Sequence, residues 1–315
     1  MTDVAGLALP FFGLIFLGFL CGRIAKAPQS GLAWFNIYIV YVAVPALYFV
    51  LISKTPFEEL ANVGFVAVTT AATFTAFLLS LGIGLAASRG RLPEAAIQGA
   101  AGSYSNVGYM GPGLTLATLG PAAAAPTALI FVFDCTLLFT LVPLLMSIAG
   151  PRHESAWVTA GLVLRRIAFH PFNIATVVGG LAAYFHYAPP EPVMRTVTLL
   201  SGSAAPCALF MMGVTVALAP LKRIPLELPA LVAVKLLVHP AIAFGILHLV
   251  GGFDPVWVAT AVLMASLPPA LNVFVMASQY GVYVERASTV ILVGTVCSVL
   301  TVTSVLALIV GGWLG

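Results

Sequence analysis

The chain has 315 residues, of which 61% are hydrophobic and only 7% are charged. A surface in contact with water needs far more charge, so the composition excludes a soluble protein and indicates an integral membrane protein in a lipid bilayer. The formal net charge of +3 gives no indication of a nucleic-acid partner.

Apolar windows of about 20 residues, the length that crosses a bilayer, occur ten times along the chain. They cover residues 6–22, 31–52, 61–87, 93–119, 122–149, 161–187, 193–219, 229–250, 255–280 and 285–313. The loops between them leave no room for a soluble domain. The first window lacks the flanks of a signal peptide, so we expect it to be retained. We predict an all-α integral membrane protein with ten transmembrane helices.

The four cysteines lie in four widely separated spans, at Cys21, Cys135, Cys207 and Cys297. None of them forms a C-x-x-C pair or has a histidine at metal-ligand spacing. We therefore expect free thiols, with no disulfide, no metal site and no other cofactor.

Lysines and arginines are concentrated in the loops that follow odd-numbered spans. Those loops hold Arg23, Lys26, Arg89, Arg91, Arg152, Arg165, Arg166, Lys222, Arg223 and Arg286. The loops after even-numbered spans hold only Lys54 and Arg195. Because short cytoplasmic loops retain positive charge during insertion, the pattern predicts a multi-pass protein of the cell (inner) membrane with both termini on the outer side.

Each half of the chain contains five predicted spans. Residues 1–150 would begin outside and residues 151–315 inside, so a repeat between the halves must be inverted, as in many secondary transporters. Matching breaks support this, because spans 4 and 9 are each interrupted by helix-breaking and amide residues. These are Asn106, Gly108, Gly111 and Pro112 in span 4, and Pro268, Pro269 and Asn272 in span 9.

A proline inside a helix costs about 3 kcal/mol in water and is tolerated in membranes only where the freed backbone groups find partners. Two broken helices that face each other would direct half-helix N-termini at one central cavity, which suits an anion. Each break taken alone also fits a simple kink or close packing. The asparagine in each break needs a polar partner in the membrane interior, which favours a substrate site.

The segment from Asn106 to Gly111 resembles the Asn-x-Gly-x-x-Gly signature of the auxin efflux carrier family, which includes plant PIN proteins and bacterial malonate and malate carriers. Similar strings follow the family order at 41–47 (YVAVPAL), 170–179 (HPFNIATVVG), 206–213 (PCALFMMG), 235–240 (KLLVHP) and the Pro268, Pro269, Asn272 break. The family usually places a proline seven residues after the asparagine, where this chain has Gly113. We therefore expect the crossing point to be shifted or more flexible.

The resemblance implies two inverted five-helix repeats whose broken helices 4 and 9 cross near the midplane, in a bile-acid symporter or NhaA-like fold. It also implies a scaffold part, a transport part, an elevator-like movement and a homodimer. Polar contacts from span 2 to the substrate are implied as well, for which Asn36 and Tyr41 are the candidates; Tyr38 fits an interfacial aromatic belt equally well. The predicted substrate-binding set is Asn106, Asn272, Tyr109, Ser105, Pro112, Pro268, Pro269, Asn36 and Tyr41.

Ionisable residues inside the membrane are functional candidates by default. Asp134 lies about 18 Å into span 5 and Lys235 about 13 Å into span 8, at 1.5 Å per residue. Their depths nearly coincide, which leaves three readings open: a fixed salt bridge, a pair that changes protonation or partner during transport, or no contact. His239 follows Lys235 by four residues. It is either a proton-relay partner or is hydrogen-bonded to a backbone carbonyl that Pro240 leaves without a helical partner. Asp134, Lys235 and His239 are the predicted coupling residues.

Other classes fit less well. We expect no enzyme, because Asp134 is the one intramembrane aspartate and no nucleophile loop is present, and a passive channel would not require paired broken helices. The sequence thus predicts a secondary active transporter that moves a small organic anion, a carboxylate such as malonate or another dicarboxylate, by a proton-coupled elevator mechanism. The alternative is sodium coupling, as in bile-acid symporters, where backbone carbonyls at the crossing bind the cation.

Overall fold

A computed structural model of the chain describes residues 2–25, 31–149, 168–218 and 224–313, together with Gly161 and Arg165. Within these residues the regular structure is helical, apart from an isolated β-bridge between Ser105 and Pro269. The four cysteines are free thiols.

The helices of the first half are α1 (Thr2–Ala25), α2 (Leu32–Tyr38), α3 (Val44–Ser53), α4 (Phe57–Leu60), α5 (Val63–Ala87), α6 (Leu92–Ser103), α7 (Gly111–Leu119) and α8 (Ala124–Ala149). Those of the second half are α9 (Pro171–Tyr184), α10 (Glu191–Leu218), α11 (Leu228–Ala233), α12 (His239–Val250), α13 (Pro255–Ser266), α14 (Asn272–Tyr280) and α15 (Val284–Val310). Two π-helical turns continue the helix between neighbouring elements: Ile39–Ala43 joins α2 to α3, and Val234–Val238 joins α11 to α12.

In the described part, seven helical segments are long and apolar enough to cross a membrane by length and composition. They coincide with predicted spans 1, 2, 3, 5, 7, 8 and 10. Spans 4 and 9 are each divided into two shorter helices, and most of the first residues of span 6 lie outside the described part. The protein is therefore an all-helical membrane protein, while the count of ten spans and the inverted repeat of residues 1–150 and 151–315 stay predictions.

The predicted orientation of the chain rests partly on residues that are not described. Lys26, Arg152, Arg166, Lys222 and Arg223 all lie outside the described residues. The outer location of both termini therefore stays a prediction.

The helices pack in two groups, and each group draws on both halves of the chain. The first group, which we call the apolar group, consists of α1, α2, α3, α9 and α10. Its tightest seam joins α1 to α10, where an added Cβ at Gly18 would overlap the backbone of Phe210 and one at Gly213 would overlap the backbone of Ile15. Glycine is needed at this seam because the backbones approach too closely for any side chain.

The second group, which we call the polar group, consists of α5, α6, α7, α8 and α11 to α15. Apart from Thr55, which follows α3, every described polar or charged side chain that is buried belongs to it. Its members include Thr73, Gln98, Asn106, Asp134, Lys235 and His239. Since buried polar groups are costly in a membrane unless they serve a purpose, the functional site is expected within this group.

Candidate functional site

The polar group contains a crossing of two unwound segments. Residues 104–110 separate α6 from α7, and residues 267–271 separate α13 from α14. The two segments pair as an antiparallel β-bridge, in which the amide of Asn106 donates to the carbonyl of Pro268 at 2.8 Å and the amide of Ala270 donates to the carbonyl of Tyr104 at 2.9 Å. Each break thus satisfies backbone groups that the other leaves without a helical partner.

Proline chemistry explains the second break. Pro268 and Pro269 have no amide hydrogen, so α13 cannot continue through them, and both residues shape the crossing without lining a cavity. The ring of Pro269 packs on α15 at Gly294, where an added Cβ would lie 2.7 Å from it. Pro112 stands in the first turn of α7, a position that tolerates proline because its amide would have no helical partner.

A small cavity of about 60 Å³ lies at the crossing. Asn106 and Asn272 both line it, together with the predicted Ser105 and Tyr109. The side-chain amide of Asn106 donates to the sulfur of Met212 at 3.3 Å, and that of Asn272 donates to the hydroxyl of Tyr104 at 3.0 Å. The structure therefore brings together the two asparagines that the sequence placed 166 residues apart.

Two half-helices begin at this crossing. α14 starts at Asn272 itself, and α7 starts at Gly111, whose amide donates to the carbonyl of Asn106 at 3.2 Å. The N-terminus of a helix carries the positive end of the helix dipole. Because α14 begins at Asn272, which lines the small cavity, the wall there is suited to negative charge.

A larger cavity of about 590 Å³ adjoins the small one. The two share three aromatic residues, Phe139, His170 and Phe172, which lie between them. The rings of His170 and Phe172 are 3.7 Å apart between centroids. The larger cavity also carries a positive charge, since Arg165 lines it. We call the larger cavity the vestibule.

The structure places the two candidate residues of span 2, Asn36 and Tyr41, differently. Tyr41 lines the vestibule. Asn36 is exposed on α2 and lines neither cavity, so the structure does not place it at this site. Tyr41 follows Asn36 by five residues, which puts the two about 140° apart around a helix of 3.6 residues per turn, so they occupy different faces.

His170 is a residue of the candidate site that the predicted set does not include. It lines both cavities, and its Nδ1 atom has no hydrogen-bond partner in the described structure. One signal in the sequence could have indicated it. His170 directly precedes Pro171, the first residue of α9, and both belong to the string 170–179 that carries the family resemblance.

The predicted coupling residues form a buried chain with Thr73. The hydroxyl of Thr73 donates to Oδ1 of Asp134 at 2.8 Å and lies 3.3 Å from Nε2 of His239. The other ring nitrogen of His239 lies 3.4 Å from Nζ of Lys235. Asp134, His239 and Lys235 are all at least 97% buried. We call these four residues the charge chain.

Within the described part of the chain, no ion pair joins Asp134 directly to Lys235. Thr73 and His239 stand between them, which is the arrangement of a relay and not of a fixed salt bridge. Lys235 lines neither cavity; its Nζ donates to the carbonyl of Ala265 at 2.5 Å.

One backbone atom connects the charge chain to the crossing. The carbonyl oxygen of Ala265, in the last turn of α13, accepts hydrogen bonds from Lys235 and from the hydroxyl of Ser105, the latter at 3.3 Å. Ser105 is a member of the β-bridge and lines the small cavity. The carbonyl of Ala265 thus joins Lys235 to the unwound segment that contains Ser105.

Comparisons with known proteins agree with this architecture. The family model described as "Membrane transport protein" (Mem_trans) matches residues 4–306. A protein of Rhizobium meliloti (strain 1021), called "Putative malonate transporter", is 50% identical over 312 residues, which cover 99% of this chain and 98% of that protein. An "Uncharacterized transporter" of Methanothermobacter thermautotrophicus (strain Delta H) is 24% identical over 292 residues, or 91% of this chain and 92% of the relative.

The family model spans nearly the whole chain, and the Rhizobium meliloti relative shares half of its residues. The match is therefore not confined to one part of the chain. The motif at Asn106 to Gly111 had indicated the same family. The chain therefore belongs to the Mem_trans family of membrane transport proteins, which is the auxin efflux carrier family.

Proposed function

We propose that this transporter is a secondary active carrier of a small organic anion, a carboxylate such as malonate, which it moves across the cell membrane by proton-coupled, elevator-type alternating access. The observation that carries the proposal is the small cavity at the crossing, where Asn106 and Asn272 come from two different broken helices. Two amide side chains and the positive end of the helix dipole of α14 can together hold a carboxylate.

The charges around the cavities favour an anion over a cation. In the described part of the chain, no aspartate or glutamate lines either cavity, while Arg165 and His170 line the vestibule. An anion that enters from the vestibule would meet the positive guanidinium first and the amides of the crossing last. A cationic substrate would find no carboxylate on the same path.

The size of the cavities favours a small substrate. The vestibule, at about 590 Å³, lies within the range of small-molecule sites, about 300–1,000 Å³. The small cavity, at about 60 Å³, has room for about two water molecules at about 30 Å³ each. A short dicarboxylate can place one carboxylate at the asparagines and the rest of the molecule in the vestibule. The name of the Rhizobium meliloti relative supports malonate.

The packing of the helices supports an elevator movement. The apolar group holds no buried polar side chain in its described helices, whereas the polar group holds the crossing and the charge chain. A movement of the polar group along the apolar group would carry the crossing and the charge chain across the membrane with the hydrogen bonds inside the polar group intact. The bonds of Asn106 to Met212 on α10 and of Tyr48 on α3 to the carbonyl of Val107 would be exchanged. In the predicted orientation, the vestibule opens toward the cytoplasmic side, where Arg165 and Tyr280 lie.

Proton coupling is favoured over sodium coupling by the position of Lys235. The carbonyl oxygens of Tyr104 and Pro268 accept from backbone amides of the bridge, and that of Ala265 accepts from Nζ of Lys235. Carbonyls at the crossing are the groups that would bind sodium in the alternative mechanism. Since an ammonium group already supplies a cation there, a change of protonation in the charge chain is the simpler means of coupling.

The test is transport by purified protein in liposomes. Uptake of radiolabelled malonate is measured with and without an inward-directed proton gradient, with sodium exchanged for potassium, and in competition with mono- and dicarboxylates. Saturable uptake that the proton gradient accelerates would support the proposal. Sodium-dependent uptake would replace proton coupling by the sodium alternative, and flux that neither saturates nor shows counterflow would indicate a channel.

A further inference from the structure

Three buried polar atoms between α5 and α6 have no hydrogen-bond partner. They are Oγ of Ser80 and both side-chain amide atoms, Oε1 and Nε2, of Gln98. Ser80 is fully buried and Gln98 is 1% exposed. Since nearly all buried polar atoms in proteins are paired, unpaired ones indicate a bound water, an ion or a functional role.

The two side chains lie in one seam. Ser80 packs against the backbone of Gly102, and Gln98 packs against the backbone of Gly84, where an added Cβ would lie 3.0 Å from its Cβ. Ser80 and Gly84 are one turn apart on α5, as are Gln98 and Gly102 on α6, so the two polar side chains occupy neighbouring levels of the same seam. The carbonyl of Leu231 faces it as well, 3.6 Å from the Cβ position at Gly102.

This seam lies next to the charge chain, on the side toward the end of the bundle that holds Glu94. Ser80 is seven residues after Thr73 on one face of α5, and Leu231 is four residues before Lys235. Both α5 and α6 pack against the π-helical turn that carries Lys235. Four residues before Gln98, Glu94 reaches the end of the bundle, where it is paired with Arg91 at 2.8 Å.

A second carboxylate stands at the same end. Glu227 is nearly buried and accepts a hydrogen bond from the hydroxyl of Tyr283 at 2.7 Å, and Arg286 lies 3.4 Å from it. Burial and the bond to Glu227 raise the pKa of Tyr283 well above its usual range, so this hydroxyl stays protonated and continues to donate.

Polar groups therefore extend from the interior to one end of the bundle, along the facing sides of α5, α6 and α11 to α12. We call the following set the polar column: Asp134, Thr73, His239, Lys235, Ser80, Gln98, Glu94 and Glu227. The ionisable groups that face it from the packed elements are Asp134 of α8, Lys235 and His239, Glu94 and Arg91 of α6, Glu227, and Tyr283 and Arg286 beside α15.

We propose that the polar column is a path for protons between Asp134 and the end of the bundle that holds Glu94, completed by water bound at Ser80 and Gln98. The inference rests on the proposed proton-coupled transport. Neither Ser80 nor Gln98 lines the small cavity or the vestibule, so the proton and the substrate leave the site by different routes.

The hydrogen-bonding groups of Ser80 and Gln98 favour bound water over a metal ion. Gln98 presents Oε1, which accepts, and Nε2, which only donates. A cation would pair with the oxygens of Gln98 and Ser80 and leave Nε2 without a partner, whereas a water molecule can accept from Nε2 and donate to an oxygen. Along the path each step breaks one O–H or N–H bond and forms another, and the proton passes from Asp134 through Thr73, His239, Lys235 and the bound water to a carboxylate or to bulk water.

The experiment separates net transport from exchange. Net uptake driven by a proton gradient requires the proton to leave the protein in each cycle, whereas exchange of labelled for unlabelled malonate proceeds with the proton retained. We expect Gln98→Leu, which has nearly the same volume and no polar atom, to slow net uptake about tenfold, the equivalent of one lost hydrogen bond to a charged group. Exchange is expected to stay within about twofold of the wild type.

Thr301→Val is the matched control, because the hydroxyl of Thr301 on α15 is also unpaired in the described structure but lies outside the polar column. It should leave both rates unchanged. Ser80→Ala provides a second, smaller change in the same direction if Gln98→Leu does not yield a monodisperse protein on gel filtration.

Equal loss of net uptake and exchange in folded Gln98→Leu protein would overturn the proton path, as would wild-type rates in both modes. A wild-type protein that exchanges malonate but ignores the proton gradient would also overturn it. Absence of exchange in the wild type would instead reject the proposed substrate, and the proton path with it.

Discussion

The crossing and the charge chain are both buried polar regions of the same group of helices, but they differ in what they can reach. At the crossing, Asn106 and Asn272 line a cavity that adjoins the vestibule. In the charge chain, Lys235 and His239 line neither cavity; His239 lies near Thr73 and Lys235, and Lys235 donates to the carbonyl of Ala265. The crossing is therefore suited to recognise a substrate, and the charge chain to respond to protons.

The two regions meet at one atom, the carbonyl oxygen of Ala265, which accepts from both Lys235 and Ser105. Variants on either side of this atom should consequently have different effects. Those at the two asparagines of the crossing should weaken every mode of transport, whereas those in the charge chain, or at its link through Ser105, should affect only the response to the proton gradient.

The largest effect is expected at the two asparagines. Asn106→Ala or Asn272→Ala should lower both net uptake and exchange of malonate by about 100-fold or more, since each removes a hydrogen-bond donor to the carboxylate. Radiolabel uptake in liposomes measures both modes. Asn36→Ala is the control, because Asn36 is exposed and lines neither cavity. Normal flux in folded protein with both crossing variants would reject the assignment of the site.

The second effect concerns Asp134. Asp134→Asn should abolish the acceleration by a proton gradient while exchange persists, because the amide keeps an acceptor for the hydroxyl of Thr73 but cannot gain or lose a proton. The comparison is the ratio of initial uptake with and without the gradient. Asp254→Asn, a change at the exposed N-cap of α13, should leave the ratio as in the wild type. An unchanged ratio in Asp134→Asn protein would remove Asp134 from the coupling mechanism.

A smaller effect is expected at Tyr104, whose hydroxyl accepts from Asn272 and lies 3.1 Å from the sulfur of Cys135. Tyr104→Phe should raise the KM for malonate about fivefold with little change in the maximal rate, because Asn272 loses the partner that orients its amide. Concentration dependence of exchange provides the measurement. A fall in maximal rate at constant KM would place Tyr104 in the movement of the transporter instead.

The smallest effect should come from the hydrogen bond between Ser105 and the carbonyl of Ala265. Ser105→Ala removes one of the two hydrogen bonds to Ala265 and should reduce gradient-driven uptake about threefold with exchange retained, since Lys235 still holds the carbonyl. The same paired assays apply. If exchange falls as much as net uptake, Ser105 acts on the substrate and not on the coupling.

The sequence was sufficient to predict seven of the membrane-crossing helices and the two breaks, because hydropathy and the missing amides of Pro268 and Pro269 are local properties. The similar predicted depths of Asp134 and Lys235 left open a salt bridge, a pair that changes partner, or no contact. Thr73 was not predicted as a residue between them, because a threonine in a membrane helix commonly bonds to its own backbone and gives no signal. In the structure the two residues are linked through Thr73 and His239.

What the sequence did not predict depends on tertiary packing. Asn36 is exposed and lines neither cavity, and the sequence alone does not show which side of α2 other helices cover. His170 lines both cavities because it stacks against Phe139 of α8, a residue far from it in the sequence. Both are properties of the assembled fold.

The β-bridge at the crossing has a consequence for how the protein is made. The amide of Asn106 and the carbonyl of Tyr104 have their partners in residues 268–270, which are synthesised more than 160 residues later. In lipid, each such backbone group costs several kcal/mol while it has no partner. During synthesis the nascent first half must therefore keep this segment helical or near the water interface, and the break opens only when α13 and α14 insert. The crossing can therefore form only after α13 and α14 have inserted. A first half that is released alone from the ribosome cannot form it.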